Sequence, residues 1–445
     1  MPSKVGIRVE DAYRWEKRVP LVPEDAADLA RRHGLRIAIQ SSRKRVFTDE
    51  AYRAAGIEVV DDLASSAVII GIKEIPPGVL EPGKTYVFFS HVIKGQSHNM
   101  PMLRRFLDLG ATLIDYEKVT DEKGRRLIFF GNYAGLAGMI ETLWALGQRL
   151  AWEGIKSPFQ SLKRPYEYPD LAHAKAGIRA VGEEITREGL PKEIVPLVVG
   201  IAGYGNVSRG AQEILSLLPV RDVSPHGLLG LRKEKVDGHV VHKTLFKEVD
   251  TVEPVNPARP FHLEEFFSHP ERYRGTFARF LPHLDIVLNC IYWDARYPRL
   301  VTLEALESAF RQGERFPRVI GDLSCDVGGA IECTVKATEP DVPVYVYEPL
   351  TGQATDGVAG KGPVIMAIDI LPTELPREAS VYFSGVLKPY LPAIASADYT
   401  GDFAACALPP EIKRAVIAYR GELTPDYAYL AKHLALEGEG KGEGR

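Results

Sequence analysis

The stretch that decides the fold is Leu197-Val-Val-Gly-Ile-Ala-Gly-Tyr-Gly-Asn-Val-Ser-Arg-Gly-Ala-Gln212. Its apolar first half predicts a buried strand, and the residues from Asn206 onward have the spacing of a helix. A glycine turn between a strand and a helix gathers unpaired backbone N–H groups and the positive end of a helix dipole at one point. Such a point can bind the pyrophosphate of a dinucleotide. An ordinary tight turn is the alternative interpretation.

The loop departs from the G-x-G-x-x-G pattern at one position. Ser208 stands where the third glycine is expected, and Gly210 follows two residues later. A small serine side chain still permits a helix to pack closely on a strand. We therefore predict a dinucleotide site whose loop residues are Gly203, Tyr204, Gly205, Asn206, Val207 and Ser208.

The composition sets the broad class of protein. The chain has 445 residues, of which 45% are hydrophobic and 26% charged, as expected of a globular protein with two or three domains. A net charge of −4 does not favour nucleic acid as a partner. The start lacks a signal-peptide pattern and no apolar run is long enough for a membrane span, so we expect a cytoplasmic protein. The four cysteines lack metal-ligand spacing, and no metal is expected.

Short apolar strands alternate with helical segments along the first part of the chain. Strands are predicted at 5–9, 36–40, 68–72, 86–89 and 112–116, and helices at 24–32, 48–55 and 100–109. This alternation is typical of a doubly wound parallel sheet. We predict an α/β protein of two Rossmann-like domains with a cleft between them.

The domain boundaries follow from where the pattern changes. Residues 1–135 and 335–436 are predicted to form a substrate domain, and residues 136–334 the dinucleotide-binding domain. Near the end, helices are predicted at 410–419 and 425–436. The low-complexity segment 437–445 is predicted to be a disordered tail.

Polar residues follow several predicted strands of the first domain, directly or in the loop after the strand. Parallel sheets bind ligands at the carboxyl ends of their strands, so these residues are candidates for one charged cleft. They are Glu16 and Arg18 after the first strand, Lys73 and Glu74, Ser90 and His91, and Glu117.

Several motifs resemble one family. They are WEKRVPLVP at 15–23, FFSHVIKG at 88–95, LIDYEK at 113–118, FGNYAG at 130–135, GNVSRGAQ at 205–212, IYW at 291–293 and LPTELPREAS at 371–380. The first is typical of the alanine dehydrogenase/transhydrogenase superfamily. Together they resemble the lysine–ketoglutarate reductase half of the bifunctional aminoadipic semialdehyde synthases, that is, a lysine-forming saccharopine dehydrogenase.

The resemblance implies a reaction and its partners. L-Lysine condenses with 2-oxoglutarate, and NAD(P)H reduces the resulting imine to saccharopine, reversibly, in lysine degradation. The resemblance ends where the bifunctional enzymes continue into a second domain. A separate glutamate-forming saccharopine dehydrogenase is therefore expected to act next. The oligomeric state is left open, with a homo-oligomer as one option.

His91 and Lys73 are the predicted catalytic residues. The steps before hydride transfer move protons, and an imidazole titrates near neutral pH. A lysine that is partly desolvated beside other cations can also pass protons. The alternatives are a structural histidine at a strand end and a surface lysine paired with Glu74.

The substrate carries three carboxylates and at least one amine. Arg18 offers a planar fork for a carboxylate, with Arg125 or Arg126 as a further cation. Glu16, Glu74 and Glu117 are predicted to hold cationic groups of the substrate or to tune the pKa of His91 and Lys73. A structural Arg18–Glu16 pair and a solvated hairpin at 125–126 are the alternatives.

The second domain supplies further cofactor candidates. Asp222 has the spacing of the acidic residue that binds a ribose, but it lies inside the apparent strand, and Ser224 occupies the strand's end. Arg221, Arg232 and Lys233 are near enough in sequence to meet a 2′-phosphate, so NADPH is preferred over NADH. The other predicted cofactor residues follow later strands: Ile291, Tyr292, Asp322 and Asp326.

Two functional alternatives remain open at this stage. One is reductive amination of a small 2-oxo acid, as in alanine dehydrogenase, which shares the arrangement of Arg18, Lys73 and His91. The other is a dinucleotide-binding module without catalysis. An α/β scaffold with incidental polar residues is a third, less specific interpretation.

Overall fold

The computed structural model describes residues 4–233 and 235–439, and the chain divides into two compact units. The first unit comprises Met1–Phe130 and Pro376–Arg445, and the second comprises Gly131–Leu375. Each unit is built on an eight-stranded sheet in which most neighbouring strands are parallel. The predicted α/β class is confirmed.

The first unit contains eight strands and seven α-helices, numbered along the chain among the described residues. The strands are β1 (Val5–Ile7), β2 (Ile37–Gln40), β3 (Glu58–Val60), β4 (Val68–Ile70), β5 (Thr85–Phe88), β6 (Thr112–Asp115), β17 (Val416–Tyr419) and β18 (Glu422–Leu423). The helices are α1 (Pro23–His33), α2 (Asp49–Ala54), α3 (Met100–Asp108), α11 (Pro376–Leu387), α12 (Leu391–Ser396), α13 (Pro410–Lys413) and α14 (Ala431–Glu439). The strand order is β18-β17-β6-β5-β4-β1-β2-β3.

Local sequence explains how the first helices begin and end. Helix α1 has Pro23 at its start and ends at Gly34, whose φ of 62° is a left-handed conformation that suits glycine. The Thr48 side chain caps α2 by accepting the Ala51 N–H at 3.3 Å. Both helices lie where the sequence predicted them.

The second unit has ten described strands and seven α-helices. The strands are β7 (Leu197–Ala202), β8 (Val220–Asp222), β9 (Val241–Phe246), β10 (Val252–Pro254), β11 (Tyr273–Gly275), β12 (Ile286–Asn289), β13 (Val319–Asp322), β14 (Val344–Tyr347), β15 (Ala354–Asp356) and β16 (Val364–Met366). The helices are α4 (Gly131–Trp152), α5 (Leu171–Glu188), α6 (Asn206–Leu215), α7 (Pro225–Leu231), α8 (Glu248–Thr251), α9 (Leu263–Ser268) and α10 (Leu303–Gln312). The large sheet has the order β15-β14-β16-β13-β12-β7-β9-β8, and β10 pairs with β11.

The sheet of the second unit differs from the usual doubly wound order. The strand that follows β7 in the chain, β8, lies at the sheet edge, and β9 is inserted between them. All six residues of β9 pair with β7, from Leu197–Val241 to Ala202–Phe246. The strand end beside the glycine turn therefore belongs to β9.

Three predicted boundaries are corrected. The chain does not return to the first unit at residue 335, because β16 pairs with β13 and β14 pairs with β16, so the return comes at Pro376. The predicted helix at 410–419 is helical only over α13, since the buried, strand-forming residues of β17 pair with β6. Residues 437–439 belong to α14, and 440–445 lie outside the described residues.

Helices α4 and α6 approach each other closely at two glycines. A Cβ atom at Gly135 would overlap the carbonyl oxygen of Val207, and one at Gly210 would overlap that of Asn132. Gly210 thus permits close packing of α6 against α4, whereas Ser208, at the position of the third glycine of the pattern, is fully buried. Among the described helices, none combines the length and apolarity needed to cross a bilayer.

Candidate active site and dinucleotide site

The carboxyl ends of four adjacent strands form the candidate site of the first unit. Strands β1, β4, β5 and β6 are neighbours and run parallel. Lys73 and Glu74 follow β4, His91 follows β5, and Glu117 follows β6. The structure therefore brings together residues that the sequence separates by more than forty positions, as predicted.

A histidine–carboxylate pair lies at this edge. His91 Nδ1 contacts Glu74 Oε1 in a short hydrogen bond, and the His91 backbone has a left-handed φ of 50°. Burial alone would lower the pKa of His91, but the hydrogen bond and the negative charge of Glu74 outweigh it, so the pKa is raised. Burial alone would raise the pKa of Glu74, but the hydrogen bond with His91 and the charge of His91 outweigh burial, so the pKa of Glu74 is lowered. Strained backbone at a polar strand end is typical of functional sites.

Lys73 lies beside this pair. Its Nζ is 5.4 Å from the centroid of the Tyr13 ring, and its positive charge opposes protonation of His91. The backbone N–H of Lys73 donates to Glu10 Oε2 at 3.1 Å, and that of Ile72 donates to Glu10 Oε1 at 2.6 Å. Burial, together with the charge of Glu16, raises the pKa of Glu10 to about 7. Sequence reasoning missed Glu10, although it lies three residues after the end of β1.

A second missed carboxylate is Asp115, the last residue of β6. It accepts hydrogen bonds from the Ser90 hydroxyl, from the Ser90 N–H at 3.3 Å and from the Glu117 N–H at 2.8 Å. Burial raises its pKa to about 6. Asp115 thus fixes the backbone on both sides of the site, immediately before His91 and at Glu117. Its position at a strand end was the available signal.

Arg18 is paired with Glu16 rather than open. Its Nε donates to Glu16 Oε1 at 2.8 Å and its Nη2 to Oε2 at 2.5 Å, and both side chains are buried. The guanidinium carbon also lies 4.1 Å from the centroid of the Phe130 ring. The structural pair considered as an alternative is present.

The two later arginines differ in their surroundings. Arg126 Nη2 donates to Glu117 Oε1, which connects it to the strand-end cluster. Arg125 Nε instead donates to Asp121 at 2.6 Å, and its side chain is 75% exposed. Only Arg126 contacts a predicted site residue.

The glycine turn of the second unit has the geometry of an anion site. Gly203 has a φ of 95°, and a Cβ there would lie 3.0 Å from the Cys290 carbonyl oxygen, so glycine is required. Above Gly205, no described atom lies within 4 Å of the position of an added Cβ. Helix α6 begins at Asn206. Open space at a helix N-terminus fits the pyrophosphate of a dinucleotide.

A cavity of about 380 Å³ adjoins this turn. The predicted residues Gly203, Tyr204, Gly205, Ile291 and Tyr292 line it. Other lining residues come from the end of β9 and from the segment that includes α9: Phe246, Lys247, Glu248, Phe266 and Phe267. Sequence reasoning missed Lys247 and Glu248, because β9 was not predicted.

Ser224 and the three predicted 2′-phosphate cations are corrected. Ser224 accepts the Gly227 N–H at 3.1 Å as the cap of α7, beyond the edge strand β8. Arg232 contacts the Pro196 carbonyl oxygen and Asp285, which precede β7 and β12, and is therefore at the amino ends of the strands. The charge of Lys233 acts on His283 at that same end. Arg221 pairs with Asp237 at 3.7 Å.

The acidic residues after β13 have different environments. Asp322 is buried and accepts hydrogen bonds from Asn289 at 2.8 Å, Thr334 at 2.7 Å and the Cys325 N–H at 3.1 Å. Burial raises its pKa despite these bonds. Asp326 is exposed. The contacts of Asp322 are those of a residue that organises the loop after β13.

No cluster of metal-ligating side chains occurs within residues 4–233 and 235–439.

Comparison with known proteins identifies relatives over nearly the whole chain. Residues 6–137 match the family described as alanine dehydrogenase/PNT, N-terminal domain. An alpha-aminoadipic semialdehyde synthase of Arabidopsis thaliana is 39% identical over 96% of this chain and 41% of its own length. These matches relate residues 6–137 to the alanine dehydrogenase/PNT N-terminal domain, and nearly the whole chain to a part of the Arabidopsis protein.

Two further comparisons extend the similarity over most of the chain. A saccharopine dehydrogenase [NAD(+), L-lysine-forming] of Neurospora crassa is 28% identical and covers 88% of this chain and 91% of that protein. The solved structure of an L-alanine dehydrogenase has a TM-score of 0.62 at 17% identity, covering 97% of this chain and 99% of that one, which supports the shared fold. The chain spans less than half the length of the Arabidopsis relative.

Proposed function

We propose that this protein condenses L-lysine with 2-oxoglutarate and reduces the imine with NAD(P)H, giving saccharopine. The observation that carries the proposal is the His91–Glu74 pair beside Lys73 at adjacent strand ends. The similarity to the aminoadipic semialdehyde synthases and saccharopine dehydrogenases supports this choice of substrates. The direction in lysine degradation would consume lysine.

The imidazole of His91 is arranged to exchange protons through one nitrogen. Its Nδ1 is held by the Glu74 carboxylate, so Nδ1 carries a hydrogen and Nε2 is the ring nitrogen proposed to exchange protons with the substrate. Because Glu74 raises the pKa of His91, more imidazolium is present near neutral pH than in an isolated histidine. Protonated Nε2 can give its proton to the departing hydroxyl of the carbinolamine.

Lys73, in its neutral amine form, is proposed to accept a proton from the attacking amine. Lysine attacks the keto carbon only when its ε-amine is neutral, so a base is needed before the imine forms. Glu10 fixes the backbone at Lys73 by accepting the Ile72 and Lys73 N–H groups, and the Tyr13 ring lies beside the Nζ of Lys73. Lys73 is therefore a positioned side chain rather than a freely moving surface lysine.

Substrate carboxylates require cations that retain donors. Glu16 engages Nε and Nη2 of Arg18, which leaves Nη1 for a substrate carboxylate. Arg126, beside Glu117, is the second proposed contact. Arg125 is not included, because its contact with Asp121 lies away from the cluster.

The second unit is proposed to hold the cofactor. The turn at Gly203–Gly205 and the start of α6 would bind the pyrophosphate, and the adjoining cavity would take the adenosine half. When bound, a reduced nicotinamide supplies the hydride. We propose NADPH as the preferred donor over NADH.

The test is NADPH oxidation, followed by absorbance, with purified protein, L-lysine and 2-oxoglutarate. Parallel reactions contain NADH, or pyruvate with ammonium. Turnover that requires both lysine and 2-oxoglutarate supports the proposal. Turnover only with pyruvate and ammonium would contradict it and indicate an alanine dehydrogenase.

Two variants test the assigned roles. His91→Ala and Lys73→Met are expected to lower kcat by about 100-fold or more while NADPH binding changes little, since proton transfer contributes factors of this order. His98→Ala and Lys432→Met are matched controls at exposed positions of the same unit. Full turnover by either active-site variant would refute its proton-transfer role.

A further inference from the structure

The exchanged order of β8 and β9 changes which residue meets the adenosine ribose. Ala202 is the parallel partner of Phe246, and the Gly203 N–H donates to the Phe246 carbonyl oxygen at 3.0 Å. The residue after β7 is thus Gly203, and the residue after β9 is Lys247. Lys247 stands opposite the first glycine of the turn.

This position has a defined role in dinucleotide-binding folds. An acidic residue at the end of the neighbouring strand binds the ribose hydroxyls of NAD, whereas a nearby cation accommodates the 2′-phosphate of NADP. We infer that Lys247 binds the 2′-phosphate of NADP(H) and makes the site selective for NADPH. The inference rests on the proposed function and adds the residue that determines cofactor choice.

The surroundings of Lys247 leave its ammonium available. The residue is exposed and lines the cavity beside the glycine turn. Its backbone N–H donates to Asp250 Oδ2 at 2.9 Å, which fixes the start of α8. Throughout the described parts of the chain, no carboxylate forms an ion pair with its side chain. A phosphate would therefore not have to displace an existing partner.

Glu248 is the competing residue, because a carboxylate in the same cavity can accept from ribose hydroxyls. Its Oε1 accepts the Tyr204 hydroxyl at 3.3 Å, and Tyr204 is the middle residue of the turn. This contact assigns Glu248 to support of the loop. Lys247, one residue earlier, directly follows β9 and has the position that contacts the ribose in dinucleotide-binding folds.

The experiment measures binding of two adenosine fragments by calorimetry. Adenosine 2′,5′-bisphosphate carries the 2′-phosphate, and 5′-AMP lacks it, so their difference isolates the proposed contact. The wild-type protein is expected to bind the bisphosphate at least about tenfold more tightly. Lys247→Ala should weaken the bisphosphate by about 10- to 100-fold and leave 5′-AMP within about twofold.

Lys233→Ala is the matched control, since it removes an exposed lysine at the opposite ends of the strands. It should change neither affinity. Equal weakening of both fragments by Lys247→Ala would indicate a structural effect and overturn the inference. Equal binding of both fragments by the wild-type protein would also overturn the inference. A loss of bisphosphate affinity in Lys233→Ala but not in Lys247→Ala would do the same.

A second variant tests the competing residue. Glu248→Gln should preserve the preference for the bisphosphate, because the amide oxygen can still accept from Tyr204. Loss of that preference in Glu248→Gln, with Lys247→Ala unaffected, would refute the assignment to Lys247. The fragments contain no nicotinamide, so the result is independent of catalysis. A silent lysine and 2-oxoglutarate assay beside a Lys247-dependent preference would refute only the proposed function.

Discussion

The second unit buries two carboxyl groups against each other, and this pair predicts a strong pH dependence of stability. Glu141 lies within α4, Glu374 ends the short helical turn Leu371–Glu374, and their exposed fractions are 0% and 1%. None of their four carboxyl oxygens contacts a donor in the described part of the chain, so a proton on one group must bind the other.

The direction and size of the effect follow from the pKa values. Burial raises the pKa of Glu141 from 4.5 to about 7, and burial with the charge of Glu141 raises that of Glu374 well above its usual range. The positive charge of Arg164 opposes both shifts, and Glu167 adds to them. These two groups therefore bind more protons in the folded protein than in the unfolded chain above pH 4.5. A rise to about 7 corresponds to about 3 kcal/mol for Glu141 alone.

The sign of this linkage is fixed by the raised pKa. The stability contributed by protonated Glu141 is complete below pH 4.5 and is lost as the pH rises through about 7. In the double variant Glu141→Gln/Glu374→Gln, two amides can pair without a titratable proton. The variant should therefore gain at least about 3 kcal/mol relative to wild type between pH 5 and pH 8.

The assay is urea unfolding of the whole chain, followed by tryptophan fluorescence at pH 5, 6, 7 and 8. The quantity compared is the difference in free energy of unfolding between wild type and variant at each pH. Glu314→Gln, at an exposed position of the same unit, is the matched control and should leave the wild-type pH dependence unchanged. A wild-type-minus-variant difference that stays constant over this range would refute the shared-proton interpretation.

Two other predictions concern packing and the active-site histidine. Gly210→Ala should destabilise the protein by about 1–3 kcal/mol despite the better helix propensity of alanine, because its Cβ would overlap the Asn132 carbonyl oxygen. The control Gly230→Ala, where an added Cβ meets open space, should be neutral or stabilising. Equal urea midpoints for the two variants would contradict this prediction. Glu74→Gln should lower the pKa of His91, because the substitution removes the negative charge that raises it. The pKa is read from the pH titration of the imidazole NMR signal that disappears in His91→Ala, and an unchanged titration would remove Glu74 as the cause.

The parts of the site that depend on single strands were predictable. Strands β4, β5 and β6 each end in the same place relative to a parallel sheet, so the residues after them converge whatever the details of packing. Local signals identified Lys73, His91 and Glu117 for this reason. Their convergence at one sheet edge follows from the parallel pairing of these strands.

Buried carboxylates were not predictable in the same way. Glu10, Asp115 and Glu141 resemble ordinary acidic residues in the sequence, and their raised pKa values come from burial by distant segments. The partners of Glu10 lie more than sixty residues away along the chain. The strand-end positions of Glu10 and Asp115 mark them as site candidates, but the local pattern does not indicate their burial.

The cofactor end shows where local reasoning fails for a topological reason. The sequence assigns Ser224 to the ribose because β8 is the next strand in the chain, but strand order in a sheet is set by pairing over long distances. Once β9 pairs with β7 along its whole length, the position opposite Gly203 passes to Lys247. The prediction of NADPH then rests on a different cation from the three that suggested it. The sequence identifies which residues follow a strand, but it does not identify which other strand lies beside that strand in the sheet. Cofactor choice depends on the residue at the end of that neighbouring strand.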